Sequence, residues 1–483
     1  MRSLLKKVAL LILLLALLPG CKKGQGSEDS PFGEELVKNP FQRDLSEIKA
    51  SGVLKAITTY SPTGYFLYRG ETMGFEYEVL KRFSKEIGVK LEIVIAKNVD
   101  SLIPMLLKGE GDLIATGYTI TSERKKWIDF TEPYLTTHQV LVQKKPENWR
   151  KMGIDRIKKQ LVTNVVDLIG DTVSVKKETA FYDRLVSLSK ELGDTIYINI
   201  LPGNLTVEET MEMVNEGKIK YTIADSNIAL INQSYYPDLY VNTAVSLSQR
   251  IAWAVRKNSP GLLKSLNEFL NEFTRTTTYH VIYNKYFKNR SSFKKRLGSK
   301  YYTETTGKIS QYSETVKKYA KQYGFDWRLI KSMIYQESRF KNQNSAWTGA
   351  SGLLQIMPAT AKSLGITNVK DPEQNIRGGL KYLRKLYNNW ETVPDSVQRL
   401  KFALASYNCG YGHVIDAKSL ARKYRKDTLN WDHGVDEFIL KLAKPEFYND
   451  PVVKYGYVRG KEPYKYVKEI FDRYETYKNF VKE

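Results

Sequence analysis

Residues 326–340 read DWRLIKSMIYQESRF, and the placement of one carboxylate in that stretch decides how the second half of the chain is understood. Asp326 suits a helix N-cap, because its side-chain oxygen can accept from a first-turn amide. From there Ile330, Met333, Ile334 and Glu337 fall at i, i+3, i+4 and i+7, so Glu337 shares the apolar stripe of the helix. A carboxyl held against hydrocarbon disfavours its charged form, and its pKa rises. A carboxylic acid that keeps its proton near neutral pH is what protonation of a glycosidic oxygen requires. The bland alternative is a helix-end glutamate paired with Arg339 or with a backbone cap.

The same helical spacing extends through Ile309 to Tyr323, Ile376 to Tyr387, Leu400 to Tyr407 and Tyr464 to Tyr477, so residues 308–483 form an all-α domain. Upstream the period changes. Val53 to Ile57, Leu91 to Ala96 and Leu113 to Thr116 read as strands, separated by amphipathic helices at Tyr77 to Ile87 and Ser101 to Lys108. That alternation predicts an α/β domain over 44–290 with a largely parallel sheet, one lobe formed by 44–143 with 244–290 and the other by 144–243. Residues 291–307 are rich in Lys, Arg, Ser, Tyr and Thr without clear period, and read as a linker.

The N-terminus sets the compartment. Arg2, Lys6 and Lys7 precede an apolar run of eleven, Val8 to Leu18, closed by Pro19-Gly20-Cys21. A membrane-spanning helix needs about 20 such residues, so 1–20 is a signal peptide rather than a span. A cysteine after a small residue at this point resembles a lipobox, which implies that Cys21 is acylated, with 21–43 as a polar tether. Lys22 is not the acidic residue that favours inner-membrane retention, so the outer membrane is the expected address, with the protein facing the periplasm. With Cys21 lipidated, Cys409 has no partner for a disulfide and reads as a small buried side chain.

The chain of 483 residues carries 75 Lys+Arg against 53 Asp+Glu, a formal +22 that suits contact with a polyanion. The excess is spread along the chain, and no nucleic-acid motif accompanies it. His138, His280, His413 and His433 are scattered without metal-ligand spacing, and no phosphate-cradling glycine loop appears, so neither metal nor nucleotide cofactor is expected.

Four blocks in order narrow the chemistry: Gln336-Glu337-Ser338-Arg339-Phe340, then Thr348 to Ala361 containing Gly352-Leu353-Leu354-Gln355, then Asn375 to Leu383, then Ala405-Ser406-Tyr407-Asn408-Cys409-Gly410. Together they resemble the soluble-lytic-transglycosylase family, whose fold is lysozyme-like. The resemblance implies that Glu337 is the sole acid/base and that Ser338 supports its orientation. It implies that Gln355 offers amide hydrogen bonds to an N-acetyl group, with Tyr407 and Asn408 approaching from the opposite wall. Leu354, Ser406, Cys409 and Ala346 depart from the family's usual residues, and Ala346 removes one polar contact. The implied substrate is the glycan strand of peptidoglycan, cut without water to leave 1,6-anhydro-N-acetylmuramic acid ends. A muramidase-type hydrolase is the rival chemistry, with Asp371 and Asp416 as its candidate second carboxylates.

Gly117 to Tyr134, with Gly74-Phe75-Glu76-Tyr77-Glu78, is similar to the polar-amino-acid solute-binding proteins. By that resemblance Arg124 grips an α-carboxylate, helped by Thr119 and the backbone at Gly117, and Asp225 pairs with an α-amino group. Lys176 to Ala180 replaces the usual Ser/Gly/Thr-rich loop, and Thr59 stands where an acid is frequent. The expected ligand is an amino acid or a muropeptide fragment. A binding or sensor lipoprotein whose second half only grips glycan is the alternative from another class.

Overall fold

The computed structural model describes residues 40–303, 307–343 and 349–481. The leader, the tether and Cys21 lie outside them, as does Ala346.

Residues 53–256 build one curled sheet of nine strands, wrapped by helices and divided into two lobes. Strand Val53–Thr58 pairs in parallel with Lys90–Ile95 and Leu113–Thr119 in the first lobe. In the second, Thr172–Lys176 pairs in parallel with Tyr197–Leu201 and Tyr221–Asp225. The sheet is more mixed than the sequence reading predicts. Two long antiparallel strands, Leu135–Lys144 and Leu239–Arg256, join the lobes. The second runs for 18 residues. Its register on its partner shifts between Ala244 and Ser248, and the same stretch is the most exposed part of the strand. Leu141 and Val245 belong to one core of lobe two and Val140 and Val241 to the other.

The expected linker is also corrected. Residues Arg290–Leu297 form a helix, and Phe293, Arg296 and Tyr302 are buried. Tyr302 joins the aromatic core of lobe one, with its ring 5.8 Å from Phe66. Polar composition hides this because only two residues in the helix face inward, too few to register as a period.

From Ser313 onward the described residues are helical, around one core that includes Ile330, Met333, Ile334, Leu380, Phe402 and Val467. Helix Trp327–Ser338 is capped by Asp326, whose carboxylate accepts from Arg328 N at 2.8 Å. It lies against the closing helix Lys461–Phe480, where the Ser332 hydroxyl donates to Ile470 O at 2.7 Å.

A hairpin of lobe one fastens the two domains together. Strands Phe66–Tyr68 and Glu71–Met73 are joined by Arg69 and Gly70, with φ of 52° and 78°. Two consecutive left-handed residues are the signature of the tight hairpin turn that glycine favours. Gly70 also has no room for a side chain, since a Cβ would lie 2.6 Å from the Phe340 ring and 2.7 Å from the Tyr477 hydroxyl. Tyr477 donates to Gly70 O at 2.7 Å, and Lys90 pairs with Asp472 at 2.7 Å. Leu67, Ile309, Tyr477 and Val481 close an apolar cluster across the joint.

Candidate active site and ligand cleft

Glu337 sits half-buried in the last turn of helix Trp327–Ser338, and Arg339 just beyond the helix is exposed. Burial raises its carboxyl to about 7, and the hydrogen bond from Tyr466 opposes part of that rise. The Tyr466 hydroxyl donates directly to Glu337 Oε1, in place of the Arg339 pairing that the bland alternative requires. Tyr466 comes from the closing helix, and sequence reasoning missed it. It stands in the stretch Tyr464 to Tyr477, read only as helical, 129 positions from its partner.

The other expected site residues are held in distinct ways. Ser338 is buried, and its hydroxyl donates to Ile334 O at 3.1 Å, bracing the helical turn that carries Glu337. Tyr407 raises its hydroxyl to Leu354 O at 2.9 Å, which ties helix Ser396–Cys409 to the Gly352–Gln355 turn. Its phenol is held well above the usual range, first by burial and then by the nearby Glu337 charge. Asn408 is exposed at the end of the same helix, where its amide is open to a ligand.

Asn375, fully buried, shapes the 352–355 turn from beneath: it accepts from Leu354 N at 2.8 Å and donates to Ser351 O at 3.1 Å and Val369 O at 2.8 Å. Gly352 adopts φ 83°, and a Cβ there would meet Asn375 Nδ2 at 2.1 Å, so only glycine fits. Gln355 follows with φ 45°, and its amide donates to Gly352 O at 2.8 Å. That bond fixes the side chain in a half-buried position beside the turn.

Both candidate second carboxylates have other work. Asp371 caps helix Pro372–Asn389 by accepting from Gln374 N at 2.8 Å. Asp416, fully buried, accepts from the amides of Lys454, Tyr455 and Gly456 at 2.8, 2.7 and 3.1 Å. Cys409 is a free thiol pushed up to about 12 by burial, which makes it a poor nucleophile.

A second site lies between the lobes of the α/β domain, a cleft of about 270 Å³ lined by Thr59, Gly117, Thr119, Arg124, Lys176 and Asp225, among others. Arg124 stacks on the Tyr118 ring at 3.8 Å and donates to Thr119 O at 2.8 Å, so its planar group is held before a ligand arrives. Thr119 thus serves through its carbonyl, while Gly117 is exposed on the cleft wall with open space about its Cα. Across the cleft Asp225 ends strand Tyr221–Asp225. It is 7% exposed, one of its oxygens has no hydrogen-bond partner, and burial raises it to about 7. Lys176, at the end of strand Thr172–Lys176 where the solute-binding resemblance fails, donates to Leu205 O at 2.7 Å, and burial lowers its pKa. Beneath the cleft Glu76, also raised to about 7 by burial, accepts from Tyr134 and from Trp253 Nε1 at 2.7 Å.

Among the described residues no group of His, Cys, Asp and Glu is arranged to hold a metal ion. No described helix is long and apolar enough to cross a membrane.

Comparison with known proteins places both halves. Residues 53–289 match the bacterial extracellular solute-binding proteins of family 3, and residues 314–430 match the transglycosylase SLT domain. Membrane-bound lytic murein transglycosylase F of Desulfosudis oleivorans is 35% identical over 436 residues, covering 90% of this chain and 92% of that protein. The protein of the same name from Pseudomonas putida is 33% identical over 89% of this chain and 86% of its own length. Among solved structures, an ancestral arginine-binding protein bound to arginine is matched with 27% identity and a TM-score of 0.42, over 49% of this chain and 98% of that one. With both domains matched in order and the relatives aligned nearly end to end, the chain belongs to the membrane-bound lytic murein transglycosylase F family, peptidoglycan-cleaving enzymes with a solute-binding-like domain ahead of the catalytic one.

Proposed function

We propose that Glu337 alone performs both proton transfers of the transglycosylase reaction. Its raised pKa leaves the carboxyl protonated near neutral pH, ready to give its proton to the oxygen of the MurNAc–GlcNAc bond as the C1–O bond breaks. The carboxylate so formed takes the proton of the muramic acid C6 hydroxyl, whose oxygen closes on C1. The proton lost in the first half is regained in the second, no water is consumed, and the product carries a 1,6-anhydro end. Tyr466 tunes the exchange: its hydrogen bond favours the carboxylate and keeps the acid from becoming too weak to let go of its proton. Gln355 meets an N-acetyl group, Tyr407 and Asn408 approach the scissile bond from the opposite wall, and Ser338 braces the turn that carries the acid. The observation that carries this reading is a desolvated Glu337 with a single phenolic partner, while Asp371 and Asp416 are engaged elsewhere. Digestion of purified peptidoglycan by wild type and by Glu337→Gln, with products read by mass, tests it. Anhydro ends from the wild type alone are expected; reducing ends would mean a hydrolase.

The interlobe cleft is read as a receptor for an amino acid or a stem-peptide fragment, with Arg124 for its carboxylate and Asp225 for its ammonium group. Occupancy there biases access to Glu337. The support is mechanical: Tyr60 lines the cleft, donates to Asn479 O, and packs its ring 4.8 Å from Phe480 on the helix that carries Tyr466. Calorimetry with amino acids and muropeptides tests the receptor, and absence of heat with unchanged activity would end it. Acylation of Cys21 then holds the enzyme to the outer membrane, facing its substrate in the periplasm. Metabolic labelling with a fatty acid, lost in Cys21→Ala, is the check.

A further inference from the structure

Two large aromatic side chains stand out on the surface of the catalytic domain. Tyr455 is 58% exposed and Tyr457 55% exposed, in a segment with no helix or strand of its own. Such a segment would ordinarily be left loose, but this one is held hard. Buried Asp416 accepts from three successive amides of Lys454, Tyr455 and Gly456, and Gly456 takes φ 77° to bring the third amide round. Burying a carboxylate is costly unless its oxygens are satisfied, so this arrangement commits a charged group to keeping a short loop in one shape. What the loop displays is the two phenol rings. Tyr455 lies flat enough on Gly412 that a Cβ there would come within 2.5 Å of it, and Tyr457 is braced edge-on by Tyr448 with ring centres 5.7 Å apart.

The position of the loop points to its ligand. On one side it rests on Gly412, in the first turn of the helix that begins just past Asn408. On the other it leads directly into Lys461–Phe480, the helix whose Tyr466 donates to Glu337. It therefore joins the ends of both arms of the reaction site. Lys454, Arg459 and Lys461 are exposed around it, complementary to the carboxylates that peptidoglycan strands carry.

We propose that Tyr455 and Tyr457 form an outer sugar platform, on which a residue of the glycan strand beyond the reacting bond stacks the C–H face of its ring. Flat aromatic faces suit this, because a pyranose presents apolar C–H groups to them and keeps its hydroxyls in water. The platform extends the grip on long strands and takes no part in proton transfer. It rests on Glu337 being the reacting centre, and the test keeps the two ideas apart.

Steady-state kinetics compare long peptide-free glycan strands with a tetrasaccharide that spans only the reacting bond and its neighbours. Tyr455→Ala/Tyr457→Ala is expected to raise KM on long strands about tenfold with kcat unchanged, and to leave the tetrasaccharide unaffected. Tyr455→Phe/Tyr457→Phe keeps both rings and should behave as wild type, and thermal melting should find both variants folded. Binding of long strands by the inactive Glu337→Gln protein should weaken by the same factor when the alanines are added. Equal losses on both substrates, no loss on either, or a loss in the phenylalanine pair would overturn the platform. Full activity of Glu337→Gln would instead sink the assignment of the acid.

Discussion

Each domain holds, at its candidate site, an acid whose carboxyl desolvation raises to about 7: Glu337 in one, Asp225 in the other. They differ in what faces it. Glu337 already has its partner, the Tyr466 hydroxyl, while Asp225, in the cleft lining, keeps one buried oxygen with none. A satisfied acid is poised to move a proton on and off, whereas an unsatisfied one waits for a donor to arrive with a ligand. On the roles proposed above, the same desolvation serves catalysis in one place and recognition in the other, and the hydrogen-bond partners separate the two.

The sharpest way to break this contrast is Glu337→Gln. Loss of the only acid/base should cut activity by about 10⁴-fold, measured as anhydro ends released per unit time, whereas Asp225→Asn should leave basal turnover near wild type. Binding reverses the order. Asp225→Asn or Arg124→Ala should weaken the cleft ligand about 10- to 100-fold by calorimetry, with no such effect from Glu337→Gln. Tyr466→Phe probes the partner itself. Wild-type activity should decline as pH rises through about 7, where Glu337 loses its proton. Removing the donor raises that pKa further, so the alkaline limb should move up by about one pH unit while kcat falls.

The smallest effect is on stability, and its sign is informative. A carboxyl whose folded pKa is raised binds more protons folded than unfolded, so stability is lost as pH climbs from the ordinary 4.5 to about 7. Glu337→Gln should therefore stabilise the protein by about 1–3 kcal/mol at pH 8 and by almost nothing at pH 4 in thermal melts. Asp225→Asn should do the same, until ligand is added and the advantage disappears.

Much of this was legible beforehand, and the exceptions have physical causes. Glu337 was visible because a helix announces its buried face every three or four residues, and the acid interrupts that face. Arg124 and Asp225 were visible through resemblance, since nothing in their local pattern marks a cleft. Tyr466 was hidden because a contact between residues 337 and 466 leaves no periodic trace in either segment. The mixed sheet was hidden in the alternation of Val241, Thr243 and Val245, buried among exposed Asn242 and Ala244, which reads as a strand only once the long partner Leu135–Lys144 is known. The anchoring of the 454–456 loop was hidden for a related reason. Asp416 looked like a spare acid because backbone amides, which every sequence has, are its partners.

The joint built by the Arg69–Gly70 turn has a practical consequence for anyone dissecting the molecule. Expressed alone from residue 308, the helical half would show Ile309, Tyr477, Phe480 and Val481 to water in place of Leu67 and the hairpin. A greasy scar of that kind invites clumping. Poor yield of the isolated enzyme would then report a severed seam rather than a defective fold, and the two halves are better bought as one piece.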